Sequence, residues 1–314
     1  MNGGAVHRAR EKIRAHLAPT PLREALGVDP TGGLSFKLES VQPTGSFKVR
    51  GAFSKLIALG ESARKDGVIA ASTGNHGAAV AYAARSLGVR AEVVVPVGTP
   101  PARVRAIECF GALVREQGVE CGAAEAAARV LAEASGAHFV SPYNDEDVMH
   151  GQGTLALELI ETVPDLDRVY VAVGGGGLVG GIALGLAEVG ASVEVVGCSP
   201  EASWAMEAAV RAGEVVDVPH APTLSLATAG ALERDTLTLP ACAGGVDRWL
   251  RVGEDAIAAA LKDLFAKERL VAEGAVGVAL GAWSMDAQRR EGDRSCVIVC
   301  GGNLDPEHLF HLIP

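Results

Sequence analysis

Between Val169 and Ala187 the chain carries no charged residue. An apolar run of that length either crosses a bilayer or lies buried inside a protein. Its glycines favour the second reading. Gly174, Gly175, Gly176 and Gly177 stand together, and Gly180, Gly181 and Gly185 follow. A β-rich run at 169–173 leads into them and a helical pattern follows from 178. The stretch therefore predicts a strand, a tight loop and a helix. A strand apolar on both faces belongs to a parallel sheet covered by helices on both sides.

The same rhythm runs through the chain. Strands are predicted at 33–39, 68–71, 91–95, 112–114, 138–140, 168–173, 193–198 and 296–299. Helices are predicted at 6–17, 76–87, 101–110, 120–134, 151–162, 178–189, 201–212, 254–267 and 273–290, with Lys48 at the start of another. Residues 214–247, with Pro219, Pro222 and Pro240, predict less regular structure. Such alternation specifies an α/β fold with mostly parallel sheets. At 314 residues the chain is long enough for two lobes.

Composition narrows the partners. The net charge of −10 argues against nucleic acid or an anionic membrane surface. The cysteines at 109, 121, 198, 242, 296 and 300 form no C-x-x-C pair, so neither a zinc ribbon nor a thioredoxin-like motif is indicated. Reduced thiols in a cytoplasm are the simplest reading. The first residues lack the apolar core of a secretory signal.

Four short motifs carry chemistry. In Ser46-Phe47-Lys48 the apolar neighbours Phe47 and Val49 would desolvate the Lys48 amine and favour its neutral, nucleophilic form. Taken alone, the tripeptide equally describes an exposed lysine at a helix start. Ser72, Thr73, Gly74, Asn75, His76 and Gly77 join a strand to a helix and can form an anion cup. A simple helix cap is the competing reading, and His76 reads as structural. Gly174, Gly175, Gly176, Gly177 and Leu178 offer backbone amides and a helix dipole to an anion. Residues 175–180 also match G-x-G-x-x-G, but Cys198-Ser199 stands where a dinucleotide site has an acidic residue. No lysine accompanies the loop as in a Walker A site. Cys300-Gly301-Gly302-Asn303 ends the last strand, where a cysteine is ordinarily a small buried apolar residue. Glu273 opens a predicted helix, where a first-turn charge is favourable.

In order and spacing these motifs resemble the fold-type II enzymes that use pyridoxal 5'-phosphate (PLP), the tryptophan synthase β-like group. The resemblance runs from about Thr20 to about Asp305 and is strongest to the threonine/serine dehydratases and serine racemase. It implies a two-lobed α/β enzyme, each lobe a mostly parallel sheet flanked by helices. Residues 1–66 and 147–314 would form the large cofactor-binding domain, and 67–146 a small substrate-gating one. Lys48 would carry PLP as a Schiff base and move the substrate Cα proton. Phe47 would lie beside the ring and Asn75 would meet the 3′ oxygen. Gly174 to Gly177 and Leu178 would hold the phosphate, and Glu273 would orient the cofactor. Cys300 would face the ring nitrogen as a neutral partner, which favours β-elimination. Ser72, Thr73, Gly74, Asn75 and His76 would take the substrate carboxylate.

The reaction so implied is β-elimination from a small β-hydroxy amino acid, L-threonine or L-serine, giving a 2-keto acid and ammonia. Thr73 stands where serine racemase has the serine that serves the opposite face, so racemisation is an alternative. Residues 222–230 and 268–274 resemble dehydratases associated with hydroxyectoine breakdown, which keeps another β-hydroxy substrate open. A PLP carrier without turnover is the non-enzymatic alternative. β-Replacement is disfavoured because His76 follows Asn75, as in dehydratases. The glutamate that binds a divalent cation in serine racemase is Ser199 here, so no metal is expected. The chain has no room for the C-terminal regulatory domain of the isoleucine-pathway dehydratases, and a homodimer is expected.

Overall fold

The apolar runs sort into two sheets, which the computed structural model resolves over residues 4–304. Asp305 and the ends of the large-domain assignment, at 1–3 and 305–314, lie outside the described residues. In chain order the elements are α1 Ala5–Ile13, β1 Leu22–Glu24, β2 Leu34–Leu38, α2 Lys48–Leu59, α3 Glu61–Asp66, β3 Val68–Ala71, α4 Asn75–Leu87, β4 Ala91–Val95, α5 Pro101–Glu108, β5 Leu113–Glu116, α6 Cys121–Ser135 and β6 His138–Phe139. There follow α7 Glu146–Thr162, β7 Arg168–Ala172, α8 Gly177–Val189, β8 Glu194–Pro200, α9 Ala205–Ala212, α10 Thr238–Gly245, β9 Arg248–Val252, α11 Glu254–Glu268, α12 Gly274–Met285 and β10 Ser295–Val299.

The larger sheet has six strands in the order β1-β2-β10-β7-β8-β9, and the smaller has four in the order β5-β4-β3-β6. All pairings are parallel except β1 with β2. The fully buried β10 is the centre of the larger sheet, paired with β2 and β7. In the smaller sheet successive residues point to opposite faces. Ile69 and Val94 join the alanines of α6 in one apolar cluster. Val68 and Ala70 pack instead with Ala79, Val80 and Ala83 of α4, and Val93 and Val95 with Ile107 of α5. Helices thus cover both faces, as strands apolar on both sides require.

The sequence reading misplaced some boundaries for physical reasons. Helix α7 starts before the predicted 151, because Gly151 and Gly153 serve close packing and do not break the helix. A Cβ on Gly151 would come within 2.7 Å of the Arg50 carbonyl on α2. The start is fixed by Asp145, whose side chain accepts the Val148 amide at 3.1 Å. Strand β9 escaped notice because it is a half-buried edge strand with arginines at 248 and 251. Helix α12 ends at Met285, short of the predicted 290. The next residue, Asp286, accepts bonds from the Tyr170 hydroxyl and Arg248 on the sheet. Among the described residues no helix is long and apolar enough to cross a membrane.

Candidate active site

In open parallel sheets the loops beyond the C-terminal ends of the strands form the binding crevice. Here four such loops converge on one cleft of about 830 Å³. Strand β3 delivers residues 72–77, β6 delivers Pro142 and Tyr143, β7 delivers 174–178, and β10 delivers Cys300 and Asn303. Phe47, Lys48 and Glu273 line the same cleft. Every residue picked from the sequence, from Phe47 to Cys300, therefore faces one space.

Lys48 is held by stitching its turn to β10. The Phe47 amide donates to the Cys300 carbonyl at 3.0 Å, and the Gly302 amide to the Gly45 carbonyl at 2.9 Å. Lys48 then opens α2, whose Val49, Phe53 and Leu56 are buried in the apolar cluster shared with α4. Its Nζ donates to the Pro142 carbonyl at 2.7 Å. Burial lowers its pKa from 10.5 to about 8, against the opposing pull of Glu273 and Cys300. At neutral pH this raises the neutral, nucleophilic fraction of the amine by about 300-fold.

The glycine loop is built to leave its amides open. Gly176 has φ +83°, and a Cβ there would come within 2.8 Å of Cys242 Sγ and Met206 Cε. The Tyr143 ring covers Gly175 in the same way. Thr238 Oγ1 donates to the Gly175 carbonyl at 2.7 Å, which fixes the peptide planes. Among the described residues, no amide from 174 to 179 donates to a protein acceptor, and α8 has no side-chain cap. These open donors at a helix N-terminus are suited to a phosphate.

A second cup forms at the start of α4. Its N-cap Gly74 has no side-chain cap, and among the described residues the amides of Thr73, Asn75, His76 and Gly77 have no protein acceptor. The Ser72 hydroxyl accepts the Gly74 amide at 3.1 Å. Arg103 Nη1 donates to Thr73 Oγ1 at 3.4 Å. The His76 ring is buried and its Nε2–H donates to the Val140 carbonyl at 2.8 Å. Burial and the neighbouring Lys48 push its pKa down to about 3, so it is a neutral structural group.

Burial also biases two further groups of the cleft towards their neutral forms. Burial raises the Glu273 carboxyl above its ordinary range despite the Asn75 amide, which lies 2.9 Å and 3.0 Å from its two oxygens. Burial, reinforced by Glu273, also pushes the Cys300 thiol well up. Glu273 is the N-cap of α12 but makes no capping bond, its side chain being turned into the cleft. The donors and acceptors fit PLP: open amides for the phosphate, a desolvated amine for the aldehyde, and a neutral thiol at the end of β10 for the ring.

Tyr143, Arg103 and Thr228 were not selected from the sequence, although all line the cleft. Tyr143 follows the C-terminal end of β6, and strand-end position was the signal that could have found it. Its hydroxyl accepts the Glu233 amide at 3.0 Å. Glu233 also accepts from Arg129 at 2.8 Å and from Asn144 at 3.0 Å. The 214–237 segment is thereby tied to residues of 129–144. Ser199 has a buried hydroxyl without a hydrogen-bond partner. No cluster of metal-ligating side chains occurs among the described residues.

Residues 13–301 match the family model described as pyridoxal-phosphate dependent enzyme. The chain is 38% identical over 286 residues to an L-threonine ammonia-lyase of Thermotoga maritima, covering 90% of this chain and 70% of that one. It is 31% identical to a serine racemase of Oryza sativa subsp. indica, covering 96% and 90% respectively. The solved structure of maize serine racemase superposes with a TM-score of 0.91 at 29% identity, covering 98% of this chain and 95% of that one.

Proposed function

From the premise that this chain belongs to the pyridoxal-phosphate dependent enzyme family, we propose that it converts L-threonine or L-serine by β-elimination to the 2-keto acid and ammonia. When bound, PLP supplies the conjugated ring that spreads negative charge away from the substrate Cα. The observation that carries the reading is the convergence on one cleft of the desolvated Lys48 amine with Glu273 and Cys300, both shifted by burial towards their neutral forms. Lys48 Nζ takes the Cα proton, for which a pKa of about 8 suits a general base near neutrality. A neutral Cys300 thiol beside the ring would leave the ring nitrogen unprotonated and weaken the cofactor as an electron store, which would favour departure of a β-hydroxyl. The amides of Thr73, Asn75, His76 and Gly77 hold the substrate carboxylate. The β-hydroxyl leaves as water and a water returns on hydrolysis, so the net change is loss of ammonia.

Two features support racemisation as a second reading. Thr73 offers a hydroxyl to the same cleft, and a relative named serine racemase aligns over nearly the whole chain. We further propose that 67–146 acts as a gating lobe against 1–66 with 147–314, latched through Glu233. A cytoplasmic homodimer is part of this proposal.

The test is 2-keto acid release from L-threonine and L-serine by the PLP-loaded protein, with Lys48→Ala as control and chiral analysis of the remaining amino acid. Keto acid formed by the parent and lost in the variant supports the lyase. Inversion of the amino acid without keto acid supports the racemase. Neither product from either substrate defeats both readings.

A further inference from the structure

A primary amide has a carbonyl end and an NH₂ end, and its neighbours decide which faces where. Asn303 and Asn75 form a chain whose polarity is fixed at both ends. Asn303 Nδ2 lies 2.8 Å from the Thr44 carbonyl, which can only accept, so that end of Asn303 must be the donor. Its other N–H points at Asn75 Oδ1, 2.6 Å away. Both Asn303 donors are then used, and the Asn75 oxygen is held away from Glu273. The Asn75 NH₂ is left facing the Glu273 carboxyl at 2.9 Å and 3.0 Å. If Asn75 were reversed, two amide nitrogens would face each other at one end and two oxygen groups at the other.

We infer that Asn303 is a positioning residue. Through Asn75 it fixes a hydrogen-bond donor towards the PLP 3′ oxygen and thereby favours that oxygen's anionic form. This rests on PLP being the cofactor of the proposed function and on the placement of Asn75 at that oxygen, which the family resemblance implies. Asn303 is itself exposed at the cleft rim, so its replacement leaves the core intact. Asn303→Asp is the informative change, because it keeps the shape but supplies no donor. The Asn75 amide then has reason to turn its NH₂ towards the introduced carboxylate and its oxygen towards the cofactor. Asn303→Ala merely releases Asn75 to sample both orientations.

The test titrates apoprotein with PLP and follows the visible band of the bound cofactor as a function of pH. It compares the parent with Asn75→Ala, Asn303→Ala, Asn303→Asp and the Asn75→Ala/Asn303→Ala double variant. Asn303→Asp is expected to weaken PLP binding about tenfold, with Asn303→Ala about threefold, as for loss of a hydrogen bond to a charged group. In Asn303→Asp the pH midpoint of the band should rise, because the 3′ oxygen gives up its proton less readily without a donor. In the Asn75→Ala background, Asn303→Ala should have no further effect. Equal weakening in both backgrounds, or an unchanged Asn303→Asp, overturns the inference while the Asn75 assignment stands. An Asn75→Ala variant with parental affinity and midpoint overturns that assignment and, with it, the inference.

Discussion

Lys48 and Arg50 are neighbours at the start of one helix, Lys48 half-buried and Arg50 buried, yet they belong to opposite kinds of charge cluster. Arg50 reaches Glu39 at 2.8 Å through both Nε and Nη2, Glu158 at 2.6 Å and 2.8 Å, and Thr154 at 3.0 Å. These bonds use every N–H of the guanidinium. Lys37 adds contacts to Glu158 at 2.5 Å and to the Thr20 carbonyl at 2.6 Å. The positive and negative groups balance. Burial alone would raise the Glu39 carboxyl, but Arg50 overcomes it and holds the pKa below the ordinary value. Around Lys48 the reverse holds. One carbonyl satisfies an ammonium with room for three acceptors, and burial pushes both Lys48 and Glu273 towards their neutral forms. The difference teaches that burial alone does not make a reactive site. A closed network is a brace, whereas a cluster with open valences keeps a proton in play.

The contrast can be broken most sharply at its two poles. Lys48→Ala should cut turnover by about 10³-fold or more, with the thermal midpoint unchanged or slightly raised, because a desolvated amine is removed. Arg50→Ala should instead cost about 3–5 kcal/mol in denaturant unfolding, since it strands two buried carboxylates. The parental brace should also fail in acid. A carboxyl with a lowered folded pKa contributes stability above its unfolded value of 4.5, and that contribution is lost as pH falls through the folded one. If Lys48→Ala destabilised the fold as much as Arg50→Ala, the distinction between the clusters would be wrong.

Glu273→Gln sharpens the comparison. Glu273 favours the charged form of Lys48, so its neutralisation should lower the amine pKa below about 8. PLP capture by apoprotein needs the neutral amine. In the parent its rate should rise with pH and level off above about 8, and in the variant the whole profile should move to lower pH. A shift to higher pH would contradict this electrostatic account. The smallest effect is expected at the latch. Arg129 and Glu233 are partly exposed, and such pairs contribute roughly 0.2–1 kcal/mol. Arg129→Ala should raise the substrate KM about two- to threefold and leave the melting temperature nearly unchanged. An unaltered KM would leave the pair no part in gating.

Much of the site was legible because its signals are local. The glycine run between strand and helix and the Ser-Thr-Gly-Asn turn each declare a strand end with open amides, and Phe47-Lys48-Val49 declares a desolvated amine. The structure brings all of them to one cleft. Less legible were residues whose meaning comes from a distant partner. Tyr143 looks like any aromatic residue until its ring is seen covering Gly175. Nothing near Glu273 in sequence says that it turns from its own helix towards Asn75, 198 residues away.

The sequence by itself determined the alternation of strands and helices and the chemistry placed at the strand ends, because apolar periodicity and glycine geometry act over a few residues. Only the tertiary structure decided which charges close on each other and which stay open. Solvation depends on what the whole fold brings near a side chain, and so does hydrogen-bond polarity along a chain such as Thr44, Asn303 and Asn75.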